Sequence, residues 1–224
     1  MATFALIHGA GDVGWYWHLV EQELRRRGHE AVAPDLPCED DSAGLTEYAD
    51  TVVAAIGART EVVVVAQSFG GFTAPLVAGQ VGARLMVLVT AMIPAPGEPP
   101  EEWVGNTGFG QVMRAHGDAD LFYHDVPRGL AEQARGRARG QSATPGRDPW
   151  PLSAWPDVPT RFVLCTQDRF FPAGFMRRVV TDRLGVVPDE IESGHCVALA
   201  RPRELADMLA ATWPGSGAAG GMVV

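Results

Sequence analysis

The sequence has few cysteines, no long hydrophobic run and fewer basic than acidic residues. Its three cysteines, Cys38, Cys165 and Cys196, cannot all pair within one chain, which excludes a dense disulfide framework and favours a reducing compartment. The apolar runs stop at strand length, far short of the ~20 residues that span a bilayer. The N-terminus lacks the basic flank and cleavage site of a signal peptide. We therefore expect a cytoplasmic protein with no membrane partner.

The shortage of basic residues also bears on nucleic acids. The chain has 18 Lys and Arg against 27 Asp and Glu, giving a net charge of −9. Affinity for phosphate backbones comes mainly from clustered basic side chains, and the richest basic stretch of the second half, residues 135–139, is broken by Gly136 and holds no aromatic residue. A solvated surface explains that stretch. We expect a small-molecule ligand and no nucleic-acid partner, with a homodimer left open.

The 224 residues, 46% of them hydrophobic, are enough for one well-filled core. Short apolar runs alternate with segments of helical period, which indicates a mostly parallel sheet with helices on both faces. We predict a single α/β domain over residues 1–224 with six strands, near residues 4–8, 30–34, 62–66, 85–90, 161–166 and 186–191. The last of these contains Pro188, which suits an edge strand or a strand start.

The alternation fails over residues 92–158, a stretch rich in Pro and Gly. A structureless loop of this length is improbable inside a compact domain. We predict a small, mostly helical lid inserted after the fourth strand. The Gly- and Ala-rich residues 215–224 are predicted to form a flexible tail.

The third strand runs directly into Gln67-Ser68-Phe69-Gly70-Gly71 and then into a helix. A residue on so sharp a turn is held in a strained conformation with its side chain raised above the sheet edge, and its neighbours must be small. Ala66 and Gly70 meet that need, although Gly is the usual residue at the first position. The pattern predicts Ser68 as a nucleophile. The alternative is that Ser68 only caps the helix.

A serine hydroxyl needs a base, and the base needs a carboxylate that fixes its tautomer. His195 follows the last strand and Asp168 follows the fifth, so both belong at the carboxyl edge of the sheet. The order Ser68, Asp168, His195 is the one expected for this arrangement. Asp157 and Glu192 are weaker candidates for the acid.

The developing oxyanion needs backbone donors. We expect these from Phe69, directly after the nucleophile, and from Ala10, in the glycine-rich loop after the first strand. That loop also has G-x-G-x-x-G spacing, with Asp35 as the acid that a dinucleotide-binding site would need. Dinucleotide binding therefore stays a minor alternative.

With these residues in hand, the chain resembles the α/β-hydrolase superfamily, in the branch that contains plant methylesterases and hydroxynitrile lyases. The resemblance covers nearly the whole chain outside the lid. It is carried by His8-Gly9-Ala10 with Gly14-Trp15-Tyr16-Trp17, by Ala66-Gln67-Ser68-Phe69-Gly70-Gly71, by Thr166-Gln167-Asp168 with Pro172, and by Gly194-His195 followed by Arg201-Pro202.

The resemblance implies an α/β-hydrolase fold, a Ser68, Asp168 and His195 triad, oxyanion donors at Ala10 and Phe69, and a loop-organising role for His8. The lyases of this branch carry a threonine and a lysine where this chain has Gly9 and Cys196, so cyanohydrin cleavage is disfavoured. Ser68 in place of an aspartate argues against dehalogenase and most epoxide hydrolase activity.

We predict a serine hydrolase of carboxylesterase type that cleaves a small-molecule ester, thioester or lactone through an acyl-enzyme. No metal and no organic cofactor is expected. Substrate-lining aromatic residues are predicted at Trp15, Trp17, Phe122 and Tyr123. The alternatives are a non-hydrolytic lyase or cyclase on the same fold, and a ligand-binding receptor that retains the triad.

Overall fold

The computed structural model describes residues 1–113 and 120–213, and its centre is a six-stranded sheet in which every pairing is parallel. The strand order is β2-β1-β3-β4-β5-β6, which confirms the predicted α/β architecture. The strands are β1 (Thr3–Ile7), β2 (Glu30–Val32), β3 (Val62–Ser68), β4 (Leu85–Ala91), β5 (Thr160–Cys165) and β6 (Asp189–Ile191).

The strand bounds differ from the predicted ones mainly at β6. This edge strand begins at Asp189, three residues later than predicted. Pro188 has no N–H to donate to a ladder, so pairing starts only beyond it. At the centre of the sheet β3 extends two residues further than predicted and carries Ser68 at its end.

Helices cover both faces of the sheet. Successive residues of a strand point to opposite sides, so each face packs against its own set of helices. Val63 and Val65 pack with α1 (His18–Arg26), α9 (Val197–Ala200) and α10 (Pro202–Thr212). Val62 and Val64 pack on the other face, with α2 (Leu45–Ile56), α3 (Ala74–Val81) and α8 (Ala173–Leu184). Burial on both faces explains why the central strands read as unbroken apolar runs.

The segment between β4 and β5, where the lid is predicted, includes α4 (Pro100–Asn106), α5 (Phe109–Met113), α6 (Arg128–Arg135) and α7 (Thr144–Arg147). Two contacts fix its ends to the core. Near its start, the buried Glu98 carboxylate pairs with the Arg183 guanidinium of α8. Near its end, Nε1 of Trp150 donates to the carbonyl of Phe72 over 3.0 Å. The predicted tail over residues 215–224 lies outside the described residues.

Cys38, Cys165 and Cys196 are all buried free thiols. Burial raises the pKa of the Cys165 and Cys196 thiols well above the ordinary value, so both stay protonated at neutral pH. Across the part of the chain that the structure describes, no helix is both long and apolar enough to cross a membrane.

Candidate active site

Ser68 lies at the turn from β3 into a short helix over Phe69–Phe72, with φ of +53° and ψ of −124°. This conformation is strained for any residue that has a Cβ. The turn also depends on its glycines: a Cβ added at Gly71 would lie 1.9 Å from the carbonyl oxygen of Met92, and one at Gly70 would lie 2.9 Å from that of His8. The Ser68 side chain makes no capping hydrogen bond to the helix, so capping does not explain it.

His195 and Asp168 form a buried pair at the same edge of the sheet. Nδ1 of His195 lies 2.8 Å from Oδ2 of Asp168, and the side chains are 3% and 0% exposed. A carboxylate oxygen can only accept, so Nδ1 carries the proton and Nε2 is left as an acceptor. The imidazole is therefore in the tautomer that can take a proton from a neighbouring hydroxyl.

The Asp168 carboxylate is held by three further donors. Oδ1 accepts from the N–H groups of Phe170 at 2.8 Å and Phe171 at 2.9 Å, and Oδ2 accepts from the Thr90 hydroxyl at 2.5 Å. Together with His195 these donors satisfy both oxygens of a fully buried acid. These hydrogen bonds fix the carboxylate against Nδ1 of His195 and so orient the imidazole.

Ser68 and His195 line one cavity of about 240 Å³ at this edge. Among the described contacts there is no hydrogen bond between the Ser68 hydroxyl and the imidazole, an interaction that commonly tightens only when substrate binds. The remaining lining residues are Gly9, Ala10, Gly11, Asp12, Gln67, Phe122, Tyr123, Ala138, Phe170 and Cys196.

Hydrogen bonds made by His8 orient one of the two predicted oxyanion donors, the N–H of Ala10. The N–H of Leu36 donates to Nε2 of His8, so the neutral His8 ring carries its proton on Nδ1, which lies 2.8 Å from the carbonyl oxygen of Gly9. In a trans peptide the C=O and the following N–H point in opposite directions. With its C=O held by His8, the Gly9 peptide directs the N–H of Ala10 the other way. Burial lowers the pKa of His8 to about 4, which keeps the ring neutral.

Of the four aromatic residues predicted to contact substrate, two line the cavity and two do not. Phe122 and Tyr123 line the cavity. Trp17 does not: it is fully buried in the core and packs edge-on against Tyr16. Trp15 is also absent from the lining and is half-buried between His18 and the guanidinium of Arg137. Neither residue lines the cavity. Trp17, Val20 and Leu24 recur at helical spacing, which is equally typical of residues that pack under a helix.

Several site residues were missed by the sequence analysis. Phe170 lines the cavity, and the rings of Phe122, Phe170 and Phe171 stand edge-on around the His195 imidazole with centroids 5.0 to 5.4 Å away. The available signal for Phe170 and Phe171 was their position two and three residues after Asp168. Asp12 also lines the cavity, and burial raises its pKa to about 6.

The dinucleotide alternative loses its acid in this arrangement. Oδ1 of Asp35 accepts a 2.7 Å hydrogen bond from the N–H of Gly14, so this carboxylate joins the loops after β1 and β2. A Cβ at Gly14 would lie 2.0 Å from the carbonyl oxygen of Ala33, so this glycine is required for the close approach of the two loops. Within residues 1–113 and 120–213, no group of three or more His, Cys, Asp or Glu side chains is placed to hold a metal ion.

Known proteins with similar sequences include esterases and a synthase. Norfluorocurarine synthase 1 of a Strychnos species is 22% identical, over 92% of this chain and 93% of that protein. Methylesterase 7 of Arabidopsis thaliana is 23% identical, over 92% and 94% respectively. A probable hydrolase, R7, of a Phoma species is 27% identical, over 84% and 88%.

Solved structures show the same fold. Polyneuridine aldehyde esterase superposes with a TM-score of 0.80 at 21% identity, covering 93% of this chain and 98% of that one. An extracellular α/β-hydrolase from a Paenibacillus species, described as sharing structural and functional homology with tobacco salicylic acid binding protein 2, gives 0.78 at 21% identity, covering 96% and 100%. The sequence model of the alpha/beta hydrolase family matches residues 4–208. The chain therefore belongs to the α/β-hydrolase family, in agreement with its six-stranded parallel sheet and with its relatives among the plant methylesterases.

Proposed function

We propose that this protein is a carboxylesterase that cleaves a small-molecule ester, thioester or lactone through an acyl-enzyme on Ser68. The observation that carries the proposal is the cavity that Ser68 and His195 share, with the imidazole held by Asp168 in the tautomer of a general base. Relatives described as methylesterases and an esterase neighbour in structure support ester cleavage as the reaction class.

In the proposed reaction, Oγ of Ser68 attacks the carbonyl carbon while Nε2 of His195 takes the hydroxyl proton. The N–H groups of Ala10 and Phe69 stabilise the oxyanion of the tetrahedral intermediate. The intermediate collapses, and the imidazolium returns its proton to the departing alcohol, thiol or lactone oxygen. Water then attacks the acyl group, with His195 again as base, and releases the acid.

The cavity favours a small substrate. At about 240 Å³ it is below the usual range for drug-sized ligands. Phe122, Tyr123 and Phe170 give it an aromatic wall, which suits an apolar acyl or aryl group.

A non-hydrolytic reaction on the same residues is the second candidate, because relatives named as synthases match the chain over the same length as the methylesterases. Cyanohydrin cleavage does not gain from this. A Cβ at Gly9 would lie 2.8 Å from Oε1 of Gln67 and 3.0 Å from Cβ of Ser68, so the threonine of the lyases does not fit without rearrangement.

The test combines turnover of an activated ester with labelling by a fluorophosphonate probe. We expect rapid hydrolysis, one probe molecule per chain on Ser68, and a loss of about 10⁴ to 10⁶ in kcat for Ser68→Ala with an unchanged fold. Ser153→Ala, an exposed serine, is the matched control and should keep full activity. Near-normal turnover by Ser68→Ala would overturn the nucleophile assignment.

Hydrolysis done in H₂¹⁸O separates the reaction classes. An esterase places one ¹⁸O atom in the acid product, because water releases the acyl group. A lyase or cyclase yields a product without the label. Tight binding of an ester with neither turnover nor probe labelling would identify a receptor.

A further inference from the structure

A short turn of the lid, residues 120–126, contacts both loops that carry the catalytic pair. It follows the gap in the described residues and precedes α6. The same turn contributes Phe122 and Tyr123 to the cavity wall. It therefore touches the substrate site and its catalytic machinery together.

The contact with the histidine loop is made by Asp125. Its Oδ2 accepts from the Ser193 hydroxyl at 2.9 Å and from the N–H of Gly194 at 2.6 Å. These are the two residues directly before His195. Ser193 is fully buried, and two donors on one carboxylate oxygen fix the backbone from which the imidazole projects.

The contact with the acid loop is made by His124. Its Nε2 lies 3.1 Å from the carbonyl oxygen of Gln167, the residue directly before Asp168. A carbonyl can only accept, so His124 donates this hydrogen bond. The two loops are also joined to each other, because the N–H of Gln167 donates to the carbonyl of Ser193 over 3.0 Å.

The side chains of Asp125 and His124 pack closely against Gly194. A Cβ added at Gly194 would lie 2.5 Å from Oδ1 of Asp125 and 2.6 Å from Nε2 of His124. Oδ1 of Asp125 is buried and has no hydrogen-bond partner among the described residues. Burying a carboxylate oxygen without a partner is unfavourable for stability, and the two hydrogen bonds to Oδ2 are what hold the residue here.

We propose that His124 and Asp125 are positioning residues that hold the loops carrying His195 and Asp168 in place from the lid. The inference rests on the proposed esterase function for its kinetic readout. Misplacing a reacting group by about 1 Å is enough to lower kcat on the order of 10²-fold.

The experiment compares Asp125→Ala with Asp125→Asn on an activated ester. Asp125→Ala removes the oxygen that accepts both hydrogen bonds, and we expect kcat to fall about 10- to 100-fold with KM changed less than about 3-fold. Asp125→Asn keeps an oxygen that can accept from Ser193 and Gly194, and should retain kcat within about 3-fold of wild type. Glu132→Ala, an exposed lid carboxylate that pairs with Arg128, is the control and should match wild type.

Two further readouts separate positioning from folding. Ser193→Ala removes one donor from the other side, and its kcat loss should not add to that of Asp125→Ala, since both break the same contact. The downfield NMR resonance of the His195 Nδ1 proton should persist in Asp125→Asn and weaken in Asp125→Ala, and this signal does not depend on turnover. A folded Asp125→Ala with wild-type kcat and an unchanged resonance would overturn the proposal. Absence of ester turnover in the wild type would instead count against the esterase function alone.

Discussion

The hydroxyl of Thr90 donates a 2.5 Å hydrogen bond to Oδ2 of Asp168, the same oxygen that accepts from Nδ1 of His195. Thr90 lies at the end of β4, in the strand beside β5, and has a φ of +39°. Positive φ is unfavourable for a β-branched residue. Such an outlier persists where surrounding contacts hold it, and here the contact is with the carboxylate of Asp168.

We expect Thr90→Val to lower kcat about 10-fold, because a hydrogen bond to a buried charged group contributes roughly 1.5 to 3 kcal/mol. Thr90→Ser keeps the hydroxyl and should stay within about 3-fold of wild type. Steady-state kinetics on one ester, with thermal melts to confirm folding, provide the measurement. Wild-type kcat in Thr90→Val together with a loss in Thr90→Ser would show that the methyl group, and not the hydroxyl, is what matters.

Relieving the backbone strain at Ser68 should raise the stability of the protein. Glycine adopts the +53° φ of this residue without steric conflict. We expect Ser68→Gly to raise the free energy of unfolding by about 1 kcal/mol relative to Ser68→Ala, since both lack the hydroxyl and differ only in the Cβ. Denaturant titration of the two inactive variants measures this difference. Identical midpoints would contradict backbone strain at Ser68.

Adding even one methyl group to the glycine-rich loop after β1 should lower activity. In Gly9→Ala the new Cβ meets Oε1 of Gln67 at 2.8 Å, and Nε2 of that side chain donates to the carbonyl of His195. We expect kcat/KM to fall at least about 10-fold, because Gln67 or Ser68 must move. Gly174→Ala, in open space on α8, is the matched control and should leave activity unchanged. Wild-type kinetics for Gly9→Ala would contradict the close approach of this loop to the nucleophile.

Asp12 should make stability depend on pH. Its pKa is about 6 in the folded protein and returns to about 4 on unfolding. Between about pH 4 and pH 6 the folded state therefore holds a proton that the unfolded state has lost, and the free energy of unfolding falls as pH rises by up to ~1.4 kcal/mol per unit. Asp12→Asn keeps an acceptor for the N–H of Val13 and should be more stable than wild type by about 1 to 3 kcal/mol above pH 6.

The gain from Asp12→Asn should vanish below about pH 4, where both states are protonated. His8 works in the opposite direction: its pKa of about 4 in the folded protein lies below the ordinary 6.5, so its contribution to stability is lost as pH falls from about 6.5 to about 4. The two groups offset each other in wild type, and the variant should lose stability more steeply in acid. A difference between variant and wild type that is constant from pH 4 to pH 7 would contradict this linkage.

Chain order and strand ends predicted the parts of the site that depend on topology. Ser68, Asp168 and His195 each follow a central or late strand, and parallel strands bring their carboxyl ends to one edge. Phe122 and Tyr123, predicted as substrate-binding residues, line the cavity. The β6 start was the weak point of the strand prediction, and Pro188 explains it.

Contacts that depend on register or on loop packing could not be predicted. Thr90 reaches Asp168 only because β4 and β5 are neighbours in the sheet, and the sequence does not state that order. Asp125 lies in the segment between β4 and β5, where the alternation of apolar runs and helical segments fails and gives no guide to the path of the chain. Trp17 shows the converse error, since helical spacing identifies a buried face without saying whether a cavity lies beneath it.

The two fixed ends of the lid have a consequence for engineering new specificities. Because Glu98 pairs with Arg183 and Trp150 donates to the backbone carbonyl of Phe72, a transplanted segment that keeps Glu98 and Trp150 can make the same two contacts with the core.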